Sequence, residues 1–354
     1  MAKKFTANKP ILKIDLERLK QQGVSSKILN KYLPKYILEP TPLYYGIFKK
    51  FWFCLIRKLF EVLIWLLLKP RLSSAGKLDL SEIDTVYSKE ARTYDKKHHM
   101  TTRGMDLVWR RMAGWLVAAM TRHQEKNSLM VLDICTGTGL TIKEMLSVLA
   151  LWNIKIKAIG LDYNAQMLNI AKNNIPNEST EFVRADAMNM PFQENIFDAT
   201  TMMCGIGGIC NPCKVFENVL KVLKPSGQFF MTDIHKPIPE QPGEWFCGFK
   251  WLRFPVFEMV GYEETTLPLV LKRLWGWRDP TLAFYLLPLT TYKDKSGQYW
   301  GFDVRSFEQE SQRWWLSLPI MPFGKIIVEK KEINKSTAKE RKLIFLALRG
   351  FKSI

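Results

Sequence analysis

Beyond residue 105 the chain alternates between short apolar, β-branched runs and stretches with an apolar residue every three or four positions. The first pattern predicts buried strands and the second predicts helices packed on them. A helix is predicted over Leu107–Arg122, then a strand in SLMVLDIC that ends at Asp133, then a helix over Leu140–Leu151. The strand IKIKAIGLD (154–162), the helix Ala165–Asn174 and the strands TEFVRAD (180–186) and FDATTMMC (197–204) follow. The helix Pro212–Leu223 and, after the turn KPSG, the strand GQFFMTDI (227–234) complete the series. Such alternation implies an α/β fold with a doubly wound, mostly parallel sheet. Ligands of these sheets sit beyond the carboxyl ends of the strands. Further on, TYKDKSGQYWGF reads as a hairpin turning at 295–297, and FGKIIVEKKEI and RKLIFLALRGF read as final strands.

The first 82 residues differ in character. Residues 11–22 predict one short helix, prolines at 34, 40 and 42 interrupt the chain, and an apolar segment runs over 43–70. Five charges interrupt that segment: Lys49, Lys50, Arg57, Lys58 and Glu61. On a helical wheel they share one half, while Phe48, Phe51, Trp52, Leu55, Ile56, Leu59, Val62 and Leu63 occupy the other. A cationic face opposite an aromatic and aliphatic one predicts a helix lying in a membrane interface. A transmembrane span is disfavoured, because a charge at mid-span costs about 2.5–3.5 kcal/mol. Residues 71–82 read as a linker.

Charge sharpens this picture. The 354 residues carry 52 Lys and Arg against 34 Asp and Glu, a net +18, and residues 1–80 hold 16 of those bases against 5 acids. A basic arm thus precedes a milder body, and its natural partners are phosphate-bearing surfaces. Six cysteines without framework spacing fit a reducing compartment better than a disulfide scaffold. Cys204, Cys210 and Cys213 form C-x5-C-x2-C, but no fourth ligand is evident and no metal site is expected. Trp and Phe crowd residues 245–321, interleaved with Lys and Arg, a second interfacial composition.

The chemistry lies at the predicted strand ends. The first strand closes on Asp133-Ile-Cys135-Thr-Gly137-Thr-Gly139. Glycines there let the backbone turn tightly and approach a ligand. Ile142 stands where a dinucleotide fingerprint wants its third glycine, which argues against a nicotinamide or flavin. The second strand ends in Asp162, able to accept from ribose hydroxyls, and the third in Asp186, able to accept from the amine of adenine beside Met188. Each aspartate alone could be a helix cap. Three in succession repel a triphosphate and suit a nucleoside with a positive pole, as in S-adenosylmethionine.

These segments, VLDICTGTG, GLDYNAQML, RADAMNMPF, FDATTMMCGIGGI and VLKPSGQFFMTDIHKP, resemble the successive motifs of class I S-adenosylmethionine-dependent methyltransferases. Upstream, YDKKHHMTTRGMDLVWRRM (94–112) is similar to the segment that precedes the first motif in the ubiquinone/menaquinone biosynthesis C-methyltransferases, where it closes over the cofactor. The resemblance covers roughly residues 85–240. It implies Tyr94 and Thr102 at the cofactor, and Asp133, Cys135, Gly137 and Gly139 around its methionine part. It also implies Asp162 and Tyr163 at ribose, Asp186, Ala187 and Met188 around adenine, and Cys204 near the transferred methyl. The chain departs from the family pattern at four places: Cys135 replaces its first glycine, Leu140 an acidic residue, Gly207-Gly208 an Arg-Asn pair facing the acceptor, and His98 an Asn.

In-line methyl transfer requires neither metal nor covalent intermediate, and a base only if the acceptor must lose a proton. His98 and His235 are the candidate bases, with Tyr94 and Asp95 as alternatives. The expected organisation is a basic arm over 1–82, a cofactor-binding core over 83–240, and an acceptor-pocket insertion with the last strands over 241–354. The expected function is methylation of an apolar, membrane-resident acceptor such as a quinone-like ring, on the cytoplasmic side of a membrane that the protein meets peripherally or monotopically. The alternatives are N-methylation of a phospholipid amine, nucleic-acid methylation, which no motif favours, and cofactor binding without catalysis.

Overall fold

The computed structural model describes residues 80–350 except 103, 125–127, 176–177, 207–208, 210, 235–282, 285 and 311–322, together with residues 4–6 and 42–44. The two short segments pair antiparallel as β1 (Lys4–Thr6) and β2 (Pro42–Tyr44). The opening of the segment expected to be an amphipathic helix is therefore extended at 42–44, and residues 45–70 lie outside the described residues. So do the expected helix at 11–22 and most of the aromatic-rich stretch.

Helices α1 (Leu80–Thr102) and α2 (Met105–Gln124) precede the sheet. Then come β3 (Leu129–Ile134), α3 (Leu140–Ala150), β4 (Ile156–Asp162), α4 (Ala165–Asn174) and β5 (Thr180–Arg184). After β6 (Phe197–Met203) and α5 (Pro212–Val222) come β7 (Leu223–Ile234), β8 (Thr291–Lys293), β9 (Tyr299–Glu310), β10 (Phe323–Ile333) and α6 (Lys335–Gly350). Their order in the sheet is β5-β4-β3-β6-β7-β10-β9-β8. The first five run parallel, and β10, β9 and β8 extend the sheet antiparallel. The chain moves outward from β3 to β4 and β5, then returns to β6 on the other side of β3. That reversal opens a crevice at the carboxyl end of β3.

Burial explains why these runs are strands. All seven residues of β6 are buried, as expected at the centre of a sheet covered on both faces. Phe197, Phe216, Phe229 and Phe302 fill the larger core with Leu132, Ile134 and Met231. The helix starts are chemically marked. Asn164 caps α4, its side chain accepting from the Met167 amide at 2.8 Å, and Asn211 caps α5 just ahead of Pro212.

Three features differ from the sequence reading. Helix α1 begins inside the expected linker, at Leu80. Ile83, Tyr87, Ala91, Tyr94 and His98 recur at helical spacing and are at least partly buried, so the helix has an inward stripe despite its polar composition. The segment RKLIFLALRGF is helical, part of α6, where Ala338, Arg341 and Ile344 turn inward. Strand β7 starts at Leu223, before KPSG. The KPSG segment bulges out of register within the strand, with Ser226 at φ 62°. The expected hairpin and the expected strand FGKIIVEKKEI are present, as β8 with β9 and as β10, and they extend the mostly parallel sheet antiparallel.

Candidate active site

A cleft of about 880 Å³, counting its open mouth, lies at the carboxyl ends of β3, β4, β5 and β6 under helix α1. Its floor is the turn after β3. Cys135 and Gly137 both adopt left-handed backbone, φ 55° and 57°. A side chain at Gly137 would point into open space, with no atom within 4 Å of its Cβ. Gly139 also has positive φ (79°) but does another job. A Cβ there would sit 2.8 Å from Ile175 Cδ1 and 3.1 Å from Ala171 Cβ, so its bareness lets α3 pack on α4.

Asp162 is placed by its loop. One carboxylate oxygen accepts from the Gly137 amide at 2.8 Å and the other from the Asn164 amide at 2.9 Å. Burial raises its pKa, and these bonds oppose the rise. A carboxylate has about four acceptor positions, so capacity for hydroxyl donors remains. Asp186 caps the short 3-10 turn Ala187–Asn189, accepting from the Met188 amide at 2.8 Å, while Asn218 of α5 donates to the Met188 carbonyl at 2.8 Å. Asp186, Ala187 and Met188 line the cleft together with Tyr163, whose ring lies under the Arg184 guanidinium at 5.8 Å.

Asp133 is not on the cleft wall. It is 1% exposed, and its two oxygens accept from the hydroxyls of Thr136 and Thr201, both at 2.7 Å. Burial raises its pKa to about 6 against those hydrogen bonds. It therefore braces the turn from behind. Cys135 and Cys204 do line the cleft, and burial raises both thiols above their ordinary range.

Helix α1 supplies the roof. Tyr87 and Tyr94 meet edge to face at 6.0 Å between ring centroids, and burial raises both phenols, so they remain protonated donors. His98 stacks behind Tyr94 at 5.7 Å, with Nδ1 3.6 Å from Asp106, and is not among the cleft residues. His99 approaches the same carboxylate at 3.2 Å. Thr102 closes α1, but its side chain, like Gly207, Gly208, Cys210 and His235, lies outside the described residues. Asp95, the alternative base, accepts from Thr138 in the turn at 2.7 Å. Cys213 is buried in the core.

Several cleft residues carried no assignment in the sequence: Asp84, Tyr87, Thr138, Asn164 and Arg110. Arg110 stands in the Trp-Arg-Arg run and is 6% exposed. Its Nη1 donates to Thr141 at 2.5 Å, and its Nε is buried with no hydrogen-bond partner among the described residues.

A doubly wound sheet whose crevice combines a bare glycine turn with aspartates at the ends of neighbouring strands defines a Rossmann-like methyltransferase fold. Residues 76–260 match the ubiE/COQ5 methyltransferase family, and the chain belongs to it. Among its relatives, the demethylmenaquinone methyltransferase of Paenarthrobacter aurescens is 30% identical over 157 residues, 44% of this chain and 56% of that protein. The 2-phytyl-1,4-naphtoquinone methyltransferase of Nostoc punctiforme is 28% identical over 162 residues, 44% of this chain and 66% of that protein. The chain thus spans less than two thirds of these relatives' length. Among solved structures, phosphoethanolamine N-methyltransferase 1 of Haemonchus contortus superposes with a TM-score of 0.48 at 14% identity. That match covers 80% of this chain and 57% of that one.

Proposed function

We propose that the protein transfers a methyl group from S-adenosylmethionine to an apolar, quinone-like ring. One observation carries the cofactor assignment: Asp162, at the end of β4, and Asp186, just beyond β5, line the same cleft as a turn in which Gly137 leaves open space where a side chain would stand. That donor set fits the group. Asp162 accepts from ribose hydroxyls, Asp186 and Met188 take adenine, and the bare turn admits the amino-acid end. When bound, the cofactor supplies a methyl carbon made electrophilic by its sulfonium. The chain supplies alignment and a protected, acidic environment.

Two further features suit methyl transfer. Cys135 and Cys204 are held as neutral thiols, so they do not compete with the acceptor as thiolate nucleophiles. Tyr87 and Tyr94 offer O–H donors to an oxygen-bearing acceptor ring instead of acting as bases. Family membership and the names of the relatives favour a quinone ring as the acceptor class.

In this reading the cationic, aromatic segment 43–70 holds the protein at the cytoplasmic face of a membrane in which the acceptor dissolves. Among the described residues no helix is long and apolar enough to cross a bilayer. The test is incubation with methyl-labelled S-adenosylmethionine and a total lipid extract. Label in an apolar, ring-bearing lipid is the expected result. Label confined to the aqueous phase contradicts the acceptor, and label in an amine headgroup moves the reaction to phospholipid.

A further inference from the structure

We infer that Cys135 and Cys204 together form a binding site for a neutral thiophile, a trivalent arsenical, within the cleft. The inference stands apart from the cofactor reading. Both cysteines line the cleft, and neither is in a disulfide. They follow neighbouring parallel strands: Ile134 of β3 lies level with Met202 of β6, so Cys135 and Cys204 stand one and two residues further on. Both hold left-handed backbone, φ 55° and 56°, a state that residues with a Cβ seldom adopt. Cys135 leans toward the second strand. A Cβ on Gly205 would sit 2.8 Å from Cys135 Cβ and 3.1 Å from its Sγ, so the bare glycine admits that thiol against the residue next to Cys204. Neither thiol has a hydrogen-bond partner among the described residues.

The choice of ligand follows from charge. A divalent cation would take thiolates and further ligands. Among the described residues no group of three His, Cys, Asp or Glu is placed to hold a metal. Burial, and then the nearby aspartates, hold both sulfurs as neutral thiols. Arsenous acid is itself neutral. Each As–S bond forms as an S–H and an As–O bond break and a water leaves. Arsenic stays trivalent, and no charge is left in the cleft. The hydroxyl remaining on arsenic can accept from the Tyr87 or Tyr94 phenol, both protonated and both lining the same cleft.

The experiment is equilibrium dialysis of arsenous acid against the full chain and its Cys135→Gly and Cys204→Gly variants, with bound arsenic counted by elemental analysis. Glycine removes each thiol yet accepts the left-handed backbone, and thermal melts check that the variants fold. The unsubstituted chain should hold one arsenic per chain. Either variant should bind roughly 100-fold more weakly, since one sulfur then does the work of two. Undiminished binding in either variant would overturn the inference, because the arsenic would then sit on one of these cysteines alone or on another thiol. No arsenic on the unsubstituted chain would overturn it as well. Titration with S-adenosylhomocysteine tests the cofactor reading separately, so each can fail without the other.

Discussion

The side-chain amide of Asn164 donates to the Asp84 carboxylate at 2.8 Å, tying helix α1 to the loop that carries Asp162. The same amide reaches Ser88 Oγ at 2.7 Å, while the Asn164 oxygen caps α4. One side chain thus fastens the roof of the cleft and starts the helix beneath it. Asn164→Asp keeps the cap but sets a carboxylate against Asp84. Amide hydrogen exchange over residues 80–95 should accelerate by roughly tenfold or more while α4 stays protected. Equal acceleration in both helices would mean that Asn164 acts on the loop as a whole.

The buried Asp133 predicts a pH effect with a definite sign. Its folded pKa, about 6, lies above the ordinary 3.8, so folding favours the neutral acid. That contribution is complete below about pH 3.8 and is lost as pH rises through about 6, at a cost of about 3 kcal/mol. Asp133→Asn stays neutral throughout and can still meet both threonine hydroxyls. Denaturant unfolding should show the natural chain losing stability relative to the variant between pH 4 and 7. Parallel curves across that range would contradict the account.

Gly137 and Gly139, two residues apart, should fail differently. Gly137→Ala strains a left-handed backbone by about 1 kcal/mol, and its methyl stands in the cleft. Ligand affinity should fall by more than stability does. Gly139→Ala adds overlap with Ile175 and Ala171, so it should cost about 3 kcal/mol of stability. Thermal melts paired with nucleoside titrations separate the two, and the reverse pattern would show that the roles are exchanged.

Much of the parallel half was legible because the first three strands lead into an aspartate, and α3, α4 and α5 start at a glycine or an asparagine. The strand-end residues Asp162 and Asp186 were found that way. Asp133 follows the same pattern yet turns to Thr136 and Thr201, a choice between two neighbouring hydroxyls and the cleft that spacing does not encode. Helix α1 was missed because Lys, Glu and Thr dilute a stripe that Ile83, Tyr87, Ala91 and Tyr94 nevertheless trace. The last helix was misread because LIFLAL is a short apolar run, equally a strand or a helix until Ala338 and Arg341 are counted with it. Arg110 lies in the segment 94–112, whose resemblance already pointed to the cofactor, and its burial at the acidic cleft sets it apart from Arg111 beside it.

The central claim is that Asp162 and the turn at Gly137 form a nucleoside site for an adenosyl sulfonium ligand. Calorimetric titration of the full chain with S-adenosylhomocysteine, beside Asp162→Ala, tests it most directly. The account predicts one saturable site per chain and ~10- to 100-fold weaker binding in the variant. No detectable binding to the natural chain, or equal affinity in both proteins, would contradict it.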